Sequence, residues 1–147
     1  MIEKLIKSIA ESGDDALIAR PADSKDLTLC QKELAEYKKP AMPKDYVDFL
    51  RIANGFAWNG IQFYSTDQVT DPDDGFTLDD IVSANEDFEE RSELAEGKLL
   101  LGRSDEDLYT YDPEAKLYEV LDFTSLDQME TYSSFEELFS DMVGSAE

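Results

Sequence analysis

The side chains that carry most enzyme chemistry are nearly absent from this sequence. Its 147 residues include no histidine and a single cysteine, Cys30. Without histidine there is no Ser-His-Asp triad, no Cys-His pair and no His-liganded zinc or iron, and the commonest general base at neutral pH is missing. Cys30 has no second cysteine to pair with and lies on an apolar stripe with helical spacing, which predicts a buried packing role. We therefore expect no catalytic residue, no metal site and no cofactor.

Carboxylates are the one reactive group in abundance, with 35 Asp and Glu residues. The densest run, Asp71-Pro72-Asp73-Asp74-Gly75, suggests a calcium loop, but its residues do not fit the ligand spacing of an EF-hand in either available register. An acidic turn ahead of a helix is the favoured interpretation, because carboxylates stabilise helix N-termini. A calcium-binding protein and a hydrolase with paired carboxylates remain alternatives, although no carboxylate pair is distinguished from the others.

The net negative charge belongs to one part of the chain. Residues 1–44 contain eight basic and eight acidic side chains, whereas residues 45–147 contain five basic and 27 acidic ones, so the net charge of −22 arises entirely in the second segment. Such a surface repels nucleic acids and anionic membranes, and it attracts basic partners over long range. The alternative is that the acidity serves solubility alone.

Length and composition indicate one folded domain. Apolar residues make up 41% of the chain and aromatic residues 11%, which is too many for a disordered acidic protein. A chain of about 150 residues buries roughly 70% of its unfolded surface. No segment approaches the roughly 18 apolar residues of a membrane span, and the N-terminus lacks the pattern of a signal peptide. We therefore expect a cytoplasmic protein.

Apolar spacing predicts an α+β fold with the element order ααα-β-α-βββ-α. Helical spacing predicts five helices, over residues 2–12, 24–39, 43–53, 77–94 and 134–143. The fourth is expected to begin with the capping box Thr77-Leu78-Asp79-Asp80 and the fifth with Ser134-Phe135-Glu136-Glu137. Alternating patterns predict strands over 61–65, 98–101, 107–111 and 117–123. Because the last three strands follow one another through short connections, a mainly antiparallel sheet packed by helices is expected.

Two groups of motifs stand out by their order and spacing. The first is a helix over 43–50 with the pattern P-x-x-Y-x-x-F-L, followed by Ala53-Asn54-Gly55, Trp58 and a strand over 61–64. The second is Leu101-Gly102-Arg103-Ser104, a hairpin strand over 107–112 and a closing helix over 133–138. Together they resemble the SUKH superfamily, and within it the YrhA-like branch, with landmarks over residues 27–143 and a weakly matched N-terminal helical extension over residues 1–26.

The resemblance implies a single SUKH-like α+β domain over residues 1–147 that binds proteins and offers no catalytic residue. Many bacterial members of the superfamily look like immunity proteins that neutralise toxins, often nucleases, and eukaryotic members look like scaffolds that regulate cell-wall assembly. The main hypothesis is therefore an immunity-type protein with a basic toxin as its partner. The alternative is an intracellular regulatory scaffold of the same fold.

The residues predicted to contact the partner combine aromatic anchors with acidic side chains. They are Trp58, Tyr64, Asp71, Asp73, Asp74, Asp105, Glu106 and Tyr109. For Trp58, a structural role as a half-buried lid over the sheet edge is favoured over an exposed anchor, although Trp is common at interface hot spots. Tyr109 is one of several alternating tyrosines, of which only part can lie outside the core. The partner's identity and the oligomeric state stay open.

Overall fold

Five helices and nine strands are present in the computed structural model, which describes residues 1–13, 15–91 and 93–146. The helices are α1 (Ile2–Glu11), α2 (Ser24–Glu36), α3 (Lys44–Ile52), α4 (Ile81–Glu89) and α5 (Phe135–Ala146), and a short 3-10 turn spans Glu93–Ala95. The strands are β1 (Ala16–Ile18), β2 (Phe56–Trp58), β3 (Ile61–Phe63), β4 (Val69–Thr70), β5 (Thr77–Leu78), β6 (Leu99–Arg103), β7 (Asp107–Asp112), β8 (Leu117–Asp122) and β9 (Gln128–Tyr132).

Seven of these strands form one sheet in the order β1-β2-β3-β6-β7-β8-β9, and β4 pairs with β5 as a separate ribbon. Every neighbouring pair in the large sheet is antiparallel. The α+β class and the mainly antiparallel sheet predicted from the sequence are therefore confirmed. The five predicted helices are present, but the predicted element order is incomplete because it lacked five strands.

The strands that the prediction lacked gave weak signals for two different reasons. β1, β2, β4 and β5 contain only two or three residues each, which is too short for an alternating pattern to be recognised. β9 is longer, but the side chains of its first four residues are all exposed, so it has no apolar alternation.

The two predicted capping boxes had different outcomes. Thr77 belongs to β5, so the predicted box at Thr77 is wrong, and α4 is capped instead by Asp80, whose carboxylate accepts a hydrogen bond from the Ser83 N–H at 2.9 Å. At α5 the Ser134 hydroxyl accepts a hydrogen bond from the Glu137 N–H at 3.2 Å. That bond is the N-terminal half of the predicted box.

Aromatic rings join two helices to one face of the sheet. Phe135 and Phe139 of α5 pack against Phe49 of α3 and Phe63 of β3, with ring centroids 5.2–5.6 Å apart. All four side chains are fully buried. Because contacts of this kind add to the burial of large apolar area, this cluster forms the centre of the core that holds the sheet in place.

Asn85 of α4 provides hydrogen-bond partners for Leu100 of β6, which lies outside the part of β6 that pairs with β3. Its side-chain amide donates to the Leu100 carbonyl at 2.9 Å and accepts from the Leu100 N–H at 2.7 Å. Asn85 is only 1% exposed. Its second amide contact, with the Ile81 carbonyl at 2.8 Å, fixes the side chain on its own helix. A buried backbone segment that would otherwise lack partners is thus satisfied by one side chain.

Cys30 is buried in α2, as predicted. Only 3% of its surface is exposed, and burial, together with the nearby Glu33 carboxylate, raises the pKa of its thiol to about 12. A thiol with a raised pKa is a poor nucleophile, so Cys30 serves packing.

Candidate functional site

Strand connections bring acidic residues together at one end of the large sheet. The β2–β3, β6–β7 and β8–β9 connections lie at the same end, because each strand runs antiparallel to its neighbour. β1 also begins there, since Ala16 pairs with Trp58 beside the β2–β3 turn. We call this region the acidic end of the sheet. Its acidic residues are Asp15, Asp105, Glu106, Asp107, Asp122 and Asp127.

Hydrogen bonds fix the connections at the acidic end. The carboxylate of Asp122 accepts bonds from the N–H groups of Ser125 at 2.9 Å and Thr124 at 3.0 Å. These bonds, chiefly the one from the Ser125 backbone, lower the pKa of Asp122. The Phe123 N–H donates to the Glu106 carbonyl at 2.9 Å, which joins the β8–β9 connection to the β6–β7 connection. The turns of the acidic end are therefore held in place by hydrogen bonds within and between them.

Asp107 shows that the carboxylates at this end are close enough to repel one another. Partial burial and the negative charges of Glu106, Asp122 and Glu130 raise the pKa of Asp107 above its usual range. Like charges disfavour the ionised form of a carboxyl group. The arrangement thus holds negative charge at an energetic cost, which an approaching cation would relieve.

Two helices add to the negative potential at the acidic end. The C-terminus of α1 leads into β1, and the C-terminus of α5 reaches the β2–β3 turn, where the Asn59 amide donates to the Ala146 carbonyl at 3.2 Å. A helix C-terminus carries partial negative charge and is stabilised by nearby cations. Neither helix has a basic residue in its last turn.

A cleft of about 180 Å³ opens beside the acidic end. Strands β1–β3 form one side, with Leu17, Ala57 and Gln62, and the loop between β4 and β5 forms the other, with Asp74 and Phe76. At about 30 Å³ for each water molecule, this volume holds roughly six waters, or one long side chain. The remaining lining residues are Asp15, Ala16, Trp58, Asn59, Gly60, Ile61 and Asp71, so the described lining contains three carboxylates and no basic residue.

The acidic loop between β4 and β5 is built by its own aspartates. One carboxylate oxygen of Asp71 accepts from the Asp73 N–H, and one of Asp74 accepts from the Phe76 N–H, each at 2.8 Å. Gly75 has a φ of 75°, a conformation that favours glycine. The loop is followed by β5, so it does not stand directly ahead of a helix as predicted. In the described part of the chain, no group of three or more His, Cys, Asp or Glu side chains is arranged to hold a metal ion.

The cleft and the acidic end adjoin each other at the β2–β3 turn. A methyl group placed on Gly60 would lie 3.9 Å from a carboxylate oxygen of Asp105, and Gly60 itself lines the cleft. Asp71 and Asp74 on one side and Asp105 and Glu106 on the other therefore border one continuous acidic surface.

The structure separates the eight predicted contact residues into two classes. Five are acidic residues of this surface: Asp71 is partly exposed, and Asp73, Asp74, Asp105 and Glu106 are exposed. Three are aromatic residues whose side chains are buried: Trp58 is 6% exposed, Tyr64 is 4% exposed and Tyr109 is 2% exposed.

The aromatic members of the predicted set therefore require a correction. Tyr109 stacks on Phe63 with ring centroids 5.2 Å apart, and Tyr64 is buried enough that its hydroxyl pKa rises to about 12. Neither presents a free side chain to a partner. Trp58 lines the cleft but is itself buried, in agreement with the structural role favoured for it, and its Nε1 has no hydrogen-bond partner among the described residues.

Sequence reasoning missed four residues of the acidic end, which are Asp15, Asp107, Asp122 and Asp127, and also Glu130 of β9 beside it. Strand pairing places Asp107 opposite Asp122 and Glu130 opposite Val120. The predicted hairpin over 107–123 could have placed Asp107 beside Asp122, because the two ends of a hairpin lie next to each other. β9 was not predicted, so Glu130 had no position relative to them.

Two arginines lie close to the acidic end and pack against the ring of Phe123. The guanidinium groups of Arg91 and Arg103 each lie 4.4 Å from the centroid of Phe123. Arg91 also donates to the Phe123 carbonyl. Cation–π contact of this kind is attractive, so both arginines are engaged within the fold.

The chain matches no protein-family model and no curated protein sequence. No helix in the described ranges has the length and apolar character needed to cross a membrane.

Proposed function

We propose that this protein is a non-catalytic binding domain that holds a basic protein partner at its acidic end. The observation that carries the proposal is the concentration of carboxylates there, whose charges, together with burial as the larger cause, raise the pKa of Asp107. The adjoining cleft, which shares Asp15 with this end, adds the carboxylates of Asp71 and Asp74 and, among its described lining, no basic residue. A cationic surface brought to this end relieves the mutual repulsion, and long-range attraction accelerates its approach.

The partner that fits this surface best is a basic toxin, in the first place a nuclease, which would make the protein an immunity protein acting in the cytoplasm. A nuclease surface that binds phosphate groups must be positively charged. Carboxylates on turns that hydrogen bonds hold in place can compete with phosphate groups for that surface. They lose little conformational freedom on binding, which favours affinity. The motif resemblance to the SUKH superfamily supports the same choice.

Protection of cells tests the immunity function directly. Candidate toxins encoded beside this protein's gene are expressed with and without it, and survival is scored. We expect one toxin to kill only in its absence. If no neighbouring toxin is neutralised but an endogenous basic protein binds at the acidic end, the alternative of a regulatory scaffold replaces the immunity function.

Two matched charge reversals test the location of the binding surface. Glu106 and Glu114 are both exposed glutamates in turns, one at each end of β7. With about 3.4 Å per residue of strand, these turns are on the order of 20 Å apart, well beyond the screening length of about 10 Å at 0.1 M salt. Glu106→Lys should slow association with the toxin severalfold, whereas Glu114→Lys, with the same change in net charge, should have little effect.

The salt dependence of the association rate provides the second readout. For the wild type, the rate should fall steeply as salt is added, and the difference between the two variants should narrow. Equal effects of Glu106→Lys and Glu114→Lys, or a wild-type rate that salt does not change, would remove the acidic end from the binding reaction.

A further inference from the structure

Strand β9 ends the large sheet with an open edge. It pairs with β8 on one side, and no described residue makes a backbone hydrogen bond to its outer side. Its first four residues are exposed, and Met129 is exposed at 58% of its surface. An unpaired edge of this kind offers N–H and C=O groups to another extended chain.

The alternation of an antiparallel ladder identifies an outward-facing backbone group. The Asp122 N–H donates to a carbonyl across the β8–β9 connection, so the backbone of Asp122 faces β9. The register shifts between Val120 and Leu121, where Met129 is an extra residue of β9. Because β8 itself has no extra residue, its alternation continues, and the backbone of Val120 also faces β9. Val120 pairs with Glu130, which therefore bonds back to β8. The next residue, Thr131, consequently directs its N–H and C=O away from the sheet.

The opposite edge of the sheet does not offer the same opportunity. β1 contains only three residues, all of them partly buried, and each edge strand is packed by one helix, β1 by α1 and β9 by α5. β9 is longer and its side chains are exposed, so an incoming strand meets fewer obstacles there.

Charge identifies the kind of chain that β9 accepts. The Tyr132 hydroxyl contacts the carboxylates of both Glu130 and Asp141, although it has only one proton to donate. Glu130 also contributes to the raised pKa of Asp107. In the described part of the chain, no Lys or Arg forms an ion pair with Glu130, Asp141 or Asp107, so an incoming strand meets unpaired carboxylates. A second copy of this chain would bring the same charges and be repelled, whereas a basic strand would neutralise them.

We propose that β9 binds an extended, basic segment of the partner protein, which adds to the sheet as an eighth strand next to β9. Its backbone pairs with the outward groups of β9, including those of Thr131, and its Lys or Arg side chains lie beside Glu130 and the acidic end. This inference rests on the proposed function, because it specifies how the basic partner is held.

The probe for this proposal is a short peptide of alternating Lys and Val residues. In the full-length protein, its addition should slow hydrogen exchange of the Thr131 amide, which is otherwise open to solvent. A control peptide with the same sequence and N-methylated backbone retains the charge but lacks the donors. It should bind severalfold more weakly and leave Thr131 exchange unchanged. Equal binding of the two peptides would overturn the proposal.

Two variants at one position separate the backbone from the side chain. Thr131→Pro removes the outward N–H, and proline is tolerated on edge strands where the N–H faces solvent. Thr131→Val keeps the N–H. One backbone hydrogen bond contributes about 0.5–1.5 kcal/mol, so Thr131→Pro should weaken peptide binding roughly two- to tenfold, while Thr131→Val should bind like the wild type. Circular dichroism and thermal unfolding identify any loss of folding, in which case the peptide comparison decides.

The outcomes distinguish this proposal from the proposed function. If Thr131→Pro folds and binds both peptide and toxin as tightly as the wild type, strand addition is wrong, even where Glu106→Lys still slows toxin association. If Glu106→Lys has no effect but Thr131→Pro weakens the peptide, the edge binds basic strands and the toxin-binding function fails.

Discussion

Gly102 joins the two halves of the acidic surface, and replacing it by alanine should separate them. Gly102 lies in β6 opposite Phe63 of β3, and β3 and β6 share only two paired positions. A methyl group on Gly102 would lie 2.1 Å from the Gln62 carbonyl oxygen and 2.8 Å from the Phe63 ring. Non-bonded heavy atoms pack at about 3.5–4.0 Å, so β3 must move by on the order of 1 Å.

The cost of this movement follows from the contacts at the junction. Forcing extra volume into a packed interior costs about 1–3 kcal/mol. The Tyr64 N–H donates to the Leu101 carbonyl at 2.9 Å. The buried Tyr46 hydroxyl donates to the Tyr64 carbonyl at 2.5 Å and lies 3.1 Å from the Leu101 carbonyl. Weakening these bonds adds about 1 kcal/mol. Gly102→Ala should therefore destabilise the protein by about 2–4 kcal/mol, equivalent to a fall in Tm of roughly 5–15 °C.

Urea and thermal unfolding measure this loss, with Gly144→Ala as the matched control. Gly144 lies within α5, and a methyl group there would meet no atom within 4 Å. Because alanine stabilises a helix by about 0.5–1 kcal/mol relative to glycine, the control should become more stable. A Gly102→Ala protein within 0.5 kcal/mol of the wild type would show that the junction adjusts without strain, and would refute this account of how the cleft and the acidic end are held together.

Two further substitutions test the electrostatic and the hydrogen-bonding accounts separately. Asp107 has a raised pKa in the folded protein, so its ionisation destabilises the fold as the pH rises from the unfolded value of about 3.9 through the raised one. Asp107→Asn should therefore raise the urea midpoint at pH 7 and leave it unchanged below about pH 4; the same gain at both pH values would contradict the repulsion. Asn85→Ala leaves the buried N–H and C=O of Leu100 without partners, which should cost about 2–5 kcal/mol in urea unfolding. Glu86→Ala on the exposed side of α4 is its control, and equal losses for the two would contradict the role of Asn85.

The parts of the fold that could be predicted are those whose burial leaves a periodic pattern. The helices and the β7–β8 hairpin bury one face along several residues, and their apolar spacing indicated them. β9 buries no side chain among its first four residues, so its pattern resembles that of a loop. Its place in the sheet follows from backbone pairing with β8, which apolar spacing does not reveal.

The same difference explains the outcome for the predicted contact residues. Acidic residues in turns were assigned correctly to the surface, because a charged turn residue is rarely buried. Tyr109 and Tyr111 have the same type and the same alternation, yet Tyr109 is 2% exposed and Tyr111 is only partly buried. Which of them is covered depends on where α5 and Phe63 lie, and that is a tertiary property absent from local spacing.

Some carboxylates of the acidic surface shape its turns, and the carboxylates that do not shape a turn require another explanation. Asp122 and Asp71 use carboxylate oxygens to accept backbone N–H bonds that shape their turns. No described residue donates a hydrogen bond to the carboxylates of Asp105, Glu106 or Asp107, and Asp107 is held at a raised pKa. Asp107 is partly buried, and its ionisation destabilises the fold without shaping a turn. A residue of this kind is expected where function demands it. Turn formation accounts for the first group, and the cationic partner that we propose would account for the second.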